Sequence, residues 1–300
     1  MKNNTLGSFL LVSSFLFVPT VVPDLIEARD AAVAELSYTD WLDAASQGDS
    51  EKAFMIGIGY YYAMYGAPKD NNKAGQWFLK AAEGGHARAC LVLGDMFFFG
   101  RGVRQSGLAA MKWYRNGADR GDPEAAEKLG DMYYYGTDIK RDYASAVAWY
   151  RKAADIGAAT SPASKLGRMY MLGEGVKTDN AEALKLLSST GDPKDCVFIA
   201  QIYRAGLHGV KKDLTKAAEW LTKGAAAGDI ASMQRLAEAY YAGDGVPRNY
   251  GEAYKWMAVV TSKEDNPDGV ALMKKAASRM TSAELSAAKK QAAETIERGR

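Results

Sequence analysis

The residues with the widest chemical repertoire are few. This 300-residue chain has two cysteines and two histidines. Cys90 and Cys196 form no C-x-x-C pair and stand 106 positions apart, so they read as small buried apolar side chains rather than a redox or metal couple. His86 holds a helix-capping position that Asp122 and Asp229 hold in similar segments, and His208 lies in a turn. Neither histidine has a companion at ligand spacing, so no metal site is expected. Ser286-Ala287-Ala288-Lys289 matches S-x-x-K, the pair in which a lysine activates a serine nucleophile. The S-D-N and K-T-G partners of that pair are absent, and the segment reads as a solvated tail helix. The chain has no P-loop, H-E-x-x-H, G-x-S-x-G or dinucleotide fingerprint. The expectation is therefore no catalytic residue, no cofactor and no metal: the protein is not read as an enzyme.

The elements that carry these residues repeat. Leu93 to Gly121 (LGDMFFFGRGVRQSGLAAMKWYRNGADRG) recurs from Leu129 to Gly157 at a spacing of 36 residues. A self-similar period in this range means stacked repeats. In the first half of a repeat, Cys90, Leu93, Gly94 and Phe97 fall on one helical face. Gly94 lies inside that face and allows a neighbouring helix to approach, and Gly100 ends the helix in a left-handed conformation. The second half carries Ala109, Ala110, Trp113, Gly117 and Ala118, small residues around one indole expected to act as the filler. Asp122-Pro123, Ser161-Pro162 and Asp192-Pro193 read as caps that open the next helix.

The pattern LG-x-M-(Y/F)-x-x-G-x-G-V, then A-x-x-W-(Y/F), then A-A-x-x-G resembles the Sel1-like repeat family, relatives of the tetratricopeptide repeats. A tetratricopeptide repeat is shorter, roughly 34 residues, with its tryptophan in the first helix. Here Trp113, Trp149, Trp220 and Trp256 sit in the second. The resemblance implies an all-α, right-handed α-α superhelical solenoid of helix-turn-helix repeats that binds another protein. It further implies adaptors, regulators and immunity proteins that neutralise secreted toxins. Some secreted relatives have been called β-lactamases or penicillin binders, but they carry a disulfide in each repeat, which two cysteines cannot supply. A β-lactamase-like or cell-wall-binding envelope enzyme and a structural spacer are the alternative readings.

Residues 1–23 read as a signal peptide: Leu6 to Val18 is apolar, and Pro19 and Pro23 close it. This points to the periplasm or secretion, with no stable membrane insertion of the mature chain and a monomeric state. Residues 24–48 read as an N-terminal capping helix with Trp41 in the tryptophan position, 49–261 as six repeats, and 262–300 as a C-terminal helical cap. Within the last, Ser262–Asp268 reads as a loop, Val270–Met280 as one helix and Ala283–Arg298 as another, capped by Thr281 or Ser282. The fourth repeat departs most: Leu186 replaces tryptophan, and its second helix is about three residues short. A formal charge of +2 gives no argument for nucleic acid.

The aromatic residues ahead of the turn glycine are the best functional lead. The third residue before it is aromatic in five repeats (Phe97, Tyr133, Tyr170, Tyr203, Tyr240), which suits the core. The next two positions vary. Phe98, Phe99, Tyr134 and Tyr135, with Tyr61, Tyr62 and Tyr65 of the first repeat, are the candidate partner-binding residues. Two readings of them stand: packing against the second helix or the next repeat, or an exposed binding band.

Overall fold

The computed structural model describes residues 40–157 and 160–298. All regular structure among them is helical, and the chain divides between Gln105 and Ser106 into two compact units. The first unit holds α1 (40–46), α2 (Ser50–Tyr62), α3 (Asn71–Glu83) and α4 (Ala87–Phe99). The second holds α5 (Gly107–Asp119), α6 (Pro123–Tyr135), α7 (Tyr143–Ile156), α8 (Thr160–Leu172), α9 (Asn180–Ser189), α10 (Pro193–Ala205), α11 (Leu214–Ala226), α12 (Ile230–Ala242), α13 (Tyr250–Lys263), α14 (Pro267–Ala277) and α15 (Ser282–Arg298). Within the first unit α2 to α4 and within the second α5 to α14 each pack on their neighbours in sequence, and α15 packs back on α13. Among the described residues no helix is long and apolar enough to cross a membrane. The apolar run of residues 6–18, read above as a signal peptide, lies outside the described residues.

Helix starts follow from capping chemistry. Asp70, Asp122, Asp213 and Asp229 each accept the backbone N–H three residues on, which satisfies a donor the first helical turn leaves free. His86 does the same through Nδ1, while Nε2 meets Glu51 at 3.0 Å and the ring stacks on Phe54. Thr281 and Glu284 bond reciprocally, so Thr281 is the residue that opens α15. Two expectations are corrected. Ser161 lies inside α8, which starts at Thr160, and its hydroxyl donates to Glu127 rather than to a helix end. Asn266-Pro267 does not continue a loop: Asn266 Oδ1 accepts from Gly269 N at 2.7 Å, and Pro267 is the first residue of α14. The short fourth-repeat helix is observed, α9 having 10 residues against 13 in α3, α5 and α11.

The core differs from the expected one by a single position in both helices. In the second helix of each pair, the residue after the tryptophan is buried: Phe78, Tyr114, Tyr150, Leu221 and Met257, with Leu187 in the fourth repeat. Phe78, Tyr150 and Leu187 lie over Gly57, Gly130 and Gly167, where an added Cβ would stand 2.6–2.8 Å from the side chain. The glycine inside the first helix thus makes room for this residue, not for the indole. The tryptophans are half-buried and carry cations on their faces, such as Lys80 on Trp77 at 5.2 Å and Lys223 on Trp220 at 4.1 Å. In the first helix the buried position is the fourth before the turn glycine (Met96, Met132, Met169, Ile202). The aromatic residue one step on, Phe97 as well as the tyrosines, is only half-buried, because one step turns it about 100° away from the buried face; there Tyr133 and Tyr170 accept from Arg115 and Arg151.

Turns close by backbone contact. A Cβ at Gly175 would lie 2.3 Å from the Tyr143 carbonyl carbon, and one at Gly245 would lie 1.9 Å from the Leu214 carbonyl oxygen. Both glycines press on the first residue of the preceding second helix. At the joint between α5 and the turn after α6 the arrangement is reversed. Asp138 takes the left-handed turn position, at φ 56, and the glycine is Gly107 at the start of α5. A Cβ on Gly107 would lie 2.3 Å from the Asp138 carboxylate.

Candidate functional site

Three residue pairs ahead of the turns share one geometry. Tyr61 and Tyr62, Phe98 and Phe99, and Tyr134 and Tyr135 meet edge-to-face with centroids 4.9–5.0 Å apart. The first ring of each pair is half-buried and the second is exposed. At the residue directly before the turn, Tyr62 is 56% exposed, Phe99 54%, Tyr135 62% and Leu172 49%. Leu207, 45% exposed, follows the next turn glycine. The spacing of 36 or 37 residues places Tyr62 and Phe99 at one register in the first unit, and Tyr135 and Leu172 at the same register in the second. Most of the exposed large apolar side chains belong to this helix-to-turn edge.

The inner members do a different job. Arg101 donates from Nη1 to the Tyr61 hydroxyl at 3.0 Å, and Tyr134 donates to Glu174 at 3.0 Å. Arg204 faces Asp244 at 3.8 Å in the same way. Each tie joins the second residue before one left-handed helix end (Ala63, Gly136 or Gly206) to the first turn position of the next repeat, 40 residues on. So Tyr61 and Tyr134 are latches between repeats, while Tyr62 and Phe99 in the first unit and Tyr135 in the second are exposed to solvent. The Phe99 face also carries the Arg101 guanidinium, 4.8 Å from the ring centre. Tyr65 stands apart, with its ring edge-to-face on Trp41 at 5.0 Å. Selection by aromaticity overlooked Leu172 and Leu207; their place beside a turn glycine is the signal that finds them.

Burial, then the bond to Glu174, pushes the Tyr134 phenol up to about 12, and burial with the Asp131 bond raises Tyr150 as well. A raised phenol favours the folded state while protonated. That contribution is complete below pH 10 and is lost as the pH rises through 12. In urea melts between pH 10 and 12 the Tyr134→Phe variant should therefore lose stability less steeply with pH than the parent chain.

Nothing at this edge is built to hold an ion or a cofactor. Among the described residues no group of three histidine, cysteine or carboxylate side chains could bind a metal. Cys90 and Cys196 are free thiols, both buried, and burial pushes the Cys196 thiol up, away from reactivity. Ser286 and Lys289 are both exposed on α15.

The Sel1 repeat profile matches residues 52–86, 87–122, 123–157, 163–190, 193–229 and 230–258, more than half of the chain. The chain belongs to the Sel1 repeat family. No curated protein matches it. Among solved structures, this Sel1 repeat chain is similar to a protective antigen of uropathogenic Escherichia coli strains that displays an SLR fold. The identity is 28% and the TM-score 0.73, over 86% of this chain and 56% of that one. The chain thus spans little more than half the length of that relative. It is also similar to a Sel1 repeat protein from Oxalobacter formigenes, at 29% identity and a TM-score of 0.61, over 78% of this chain and 96% of the other. The fold is accordingly the all-α superhelical repeat class.

Proposed function

We propose that this Sel1 repeat chain is an exported protein-interaction module, acting as an adaptor, regulator or toxin-neutralising protein, and that it binds through the helix-to-turn edge. The observation that carries the reading is the recurrence of one exposed apolar residue at one register, Tyr62 and Phe99 in the first unit and Tyr135 and Leu172 in the second. Water-facing aromatic rings cost solvation and give no folding benefit, whereas rigid rings with a fixed edge-to-face neighbour are good interface anchors. The half-buried inner ring holds each outer ring in place, so little side-chain freedom is lost on binding.

The test is capture from an envelope extract, with Tyr62→Ser/Phe99→Ser/Tyr135→Ser alongside the parent. All three residues are exposed, so the variant should keep its melting midpoint to within a few degrees. Its affinity for a stoichiometric partner should fall at least about tenfold, the loss of one interface anchor. A partner held equally by both proteins would move the site elsewhere on the surface. No partner for either would leave the structural spacer. Export rests on the apolar run at residues 6–18, and N-terminal sequencing of the protein from its native envelope should show the run removed.

A further inference from the structure

The turns of the second unit form a row. Those after α6, α8, α10 and α12 each end at a helix cap, which is Asp142, Asp179, Asp213 or Asn249. Gly175 of the second turn lies against Tyr143, Gly209 of the third against Asn180, and Gly245 of the fourth against Leu214. Each of these partners is the residue just past the preceding cap. Neighbouring turns therefore touch, and equivalent positions in them line up.

One or two positions before each cap stand exposed cations: Lys140 and Arg141, Lys177, Lys211 and Lys212, and Arg248. They run beside the exposed apolar residues. A Cβ at Gly136 would lie 3.1 Å from the Arg141 Cβ, and one at Gly206 would lie 3.3 Å from the Lys212 Cβ. Gly136 directly follows Tyr135, and Gly206 directly precedes Leu207. Arg248 Nη2 donates to the carbonyl of Ala242, which holds the Tyr135 register in the last repeat. None of the six cations has an ion pair among the described residues, whereas the paired cations of this unit all lie on helices.

The same turns hold as many carboxylates as cations, but the carboxylates are engaged. Asp142, Asp179 and Asp213 accept backbone N–H groups at helix starts, where the positive end of the helix dipole offsets their charge. Glu174 accepts from Tyr134, and Asp244 faces Arg204. Asp138, against Gly107, is the one acid of the row without such a partner among the described residues. The edge thus shows water a line of unpaired positive charge next to Tyr135, Leu172 and Leu207.

We propose that this edge of the second unit binds an acidic segment of a partner protein, its carboxylates on the row of cations and its apolar side chains against Tyr135, Leu172 and Leu207. The inference rests on the interaction reading above and adds the partner's charge, since opposite potentials steer and select partners. A polypeptide fits better than a nucleic acid. Two of the three apolar positions are leucine, which offers bases no ring to stack on, and regularly spaced phosphates would meet the capping carboxylates between the cations.

NMR titration of the full chain with the peptide Glu-Glu-Leu-Glu-Glu-Leu-Glu-Glu tests it. Saturable shifts are expected at the backbone amides of residues 137–142, 174–179 and 207–213. Raising the salt from about 50 to about 500 mM should weaken binding at least about tenfold. So should lysine for each glutamate of the peptide, or Lys140→Gln/Lys177→Gln/Lys211→Gln/Lys212→Gln in the protein. Serine for each leucine of the peptide, or Tyr135→Ser/Leu172→Ser in the protein, should do the same. The salt and peptide comparisons need no variant, so they decide even if a variant fails to fold. The two readings fail separately. Equal binding of the glutamate and lysine peptides, lost in Tyr135→Ser/Leu172→Ser, overturns the acidic partner and leaves the apolar edge standing. Binding that survives Tyr135→Ser/Leu172→Ser but is lost with the lysines overturns the apolar edge, and this mode of docking with it. Absence of saturable shifts at the turns overturns the proposal, as does tighter binding of an oligothymidylate or of phosphatidylglycerol vesicles than of the glutamate peptide.

Discussion

Gly245→Ala is expected to cost about 2–5 kcal/mol, the sum of overpacking against fixed atoms and a left-handed backbone strained by a Cβ. The new methyl would stand 1.9 Å from the carbonyl oxygen of Leu214 and 2.3 Å from its carbon. Neither atom can rotate away, because Leu214 begins α11 and its backbone is held by the helix. Gly228 is the control, with a similar φ of +89 and no atom within 4 Å of its added Cβ. Gly228→Ala should carry only the conformational cost, about 1–2 kcal/mol. Urea denaturation of the two variants separates shape from conformation. Equal losses would show that the turn yields to the methyl and that the contact does not hold α11 and α12 in place.

Asp195→Ala is expected to cost about 2–3 kcal/mol, within the range for removing a buried charge from its hydrogen-bonded partners. Its side chain is 1% exposed and accepts from one helix and one helix end. Ser164 and Arg168 of α8 each donate to Oδ1 at 2.8 Å, and Thr190, at the end of α9, donates to Oδ2 at 2.9 Å. Arg168→Ala should cost less, about 1 kcal/mol, since its guanidinium is 39% exposed and water can replace the lost carboxylate. Asp195→Asn, which keeps an acceptor oxygen, should fall between the two. A neutral Asp195→Ala in chemical denaturation would mean that the shortened fourth repeat is held by its apolar contacts alone.

The architecture was legible because it is periodic. A 36-residue recurrence with glycine, alanine and proline at matched places leaves few alternatives to stacked helix pairs, and the shortened α9 was visible as missing residues. The one-position error in the core has a physical origin. Tryptophan is the largest residue in the motif, so it looked like the filler; yet it carries an N–H and a face that cations cover, while Phe78 and Leu221, next to Trp77 and Trp220, have no polar atom to satisfy. The same reasoning misplaced Tyr133 and Tyr170, which lie one step off the buried face and accept from arginines. At the helix-to-turn edge, aromaticity found Tyr62, Phe99 and Tyr135 but merged them with latch residues such as Tyr61 and Tyr134, because adjacent positions on a helix differ by direction and not by type.

The reversal at Gly107 and Asp138 bears on how such chains can be recombined. Elsewhere the turn supplies the glycine, and the helix start can carry Asn71, Tyr143 or Leu214. Here the helix start supplies it, and the turn can carry a carboxylate. A repeat cut out at its own ends would take one half of this agreement and leave the other behind. Spliced behind a second helix that begins with Tyr or Leu, the segment bearing Asp138 would meet a side chain in the space Gly107 leaves open. The portable module is therefore the seam, the second helix of one repeat together with the first helix and turn of the next, and chimaeras divided inside the repeats should assemble where those divided at the seams fail.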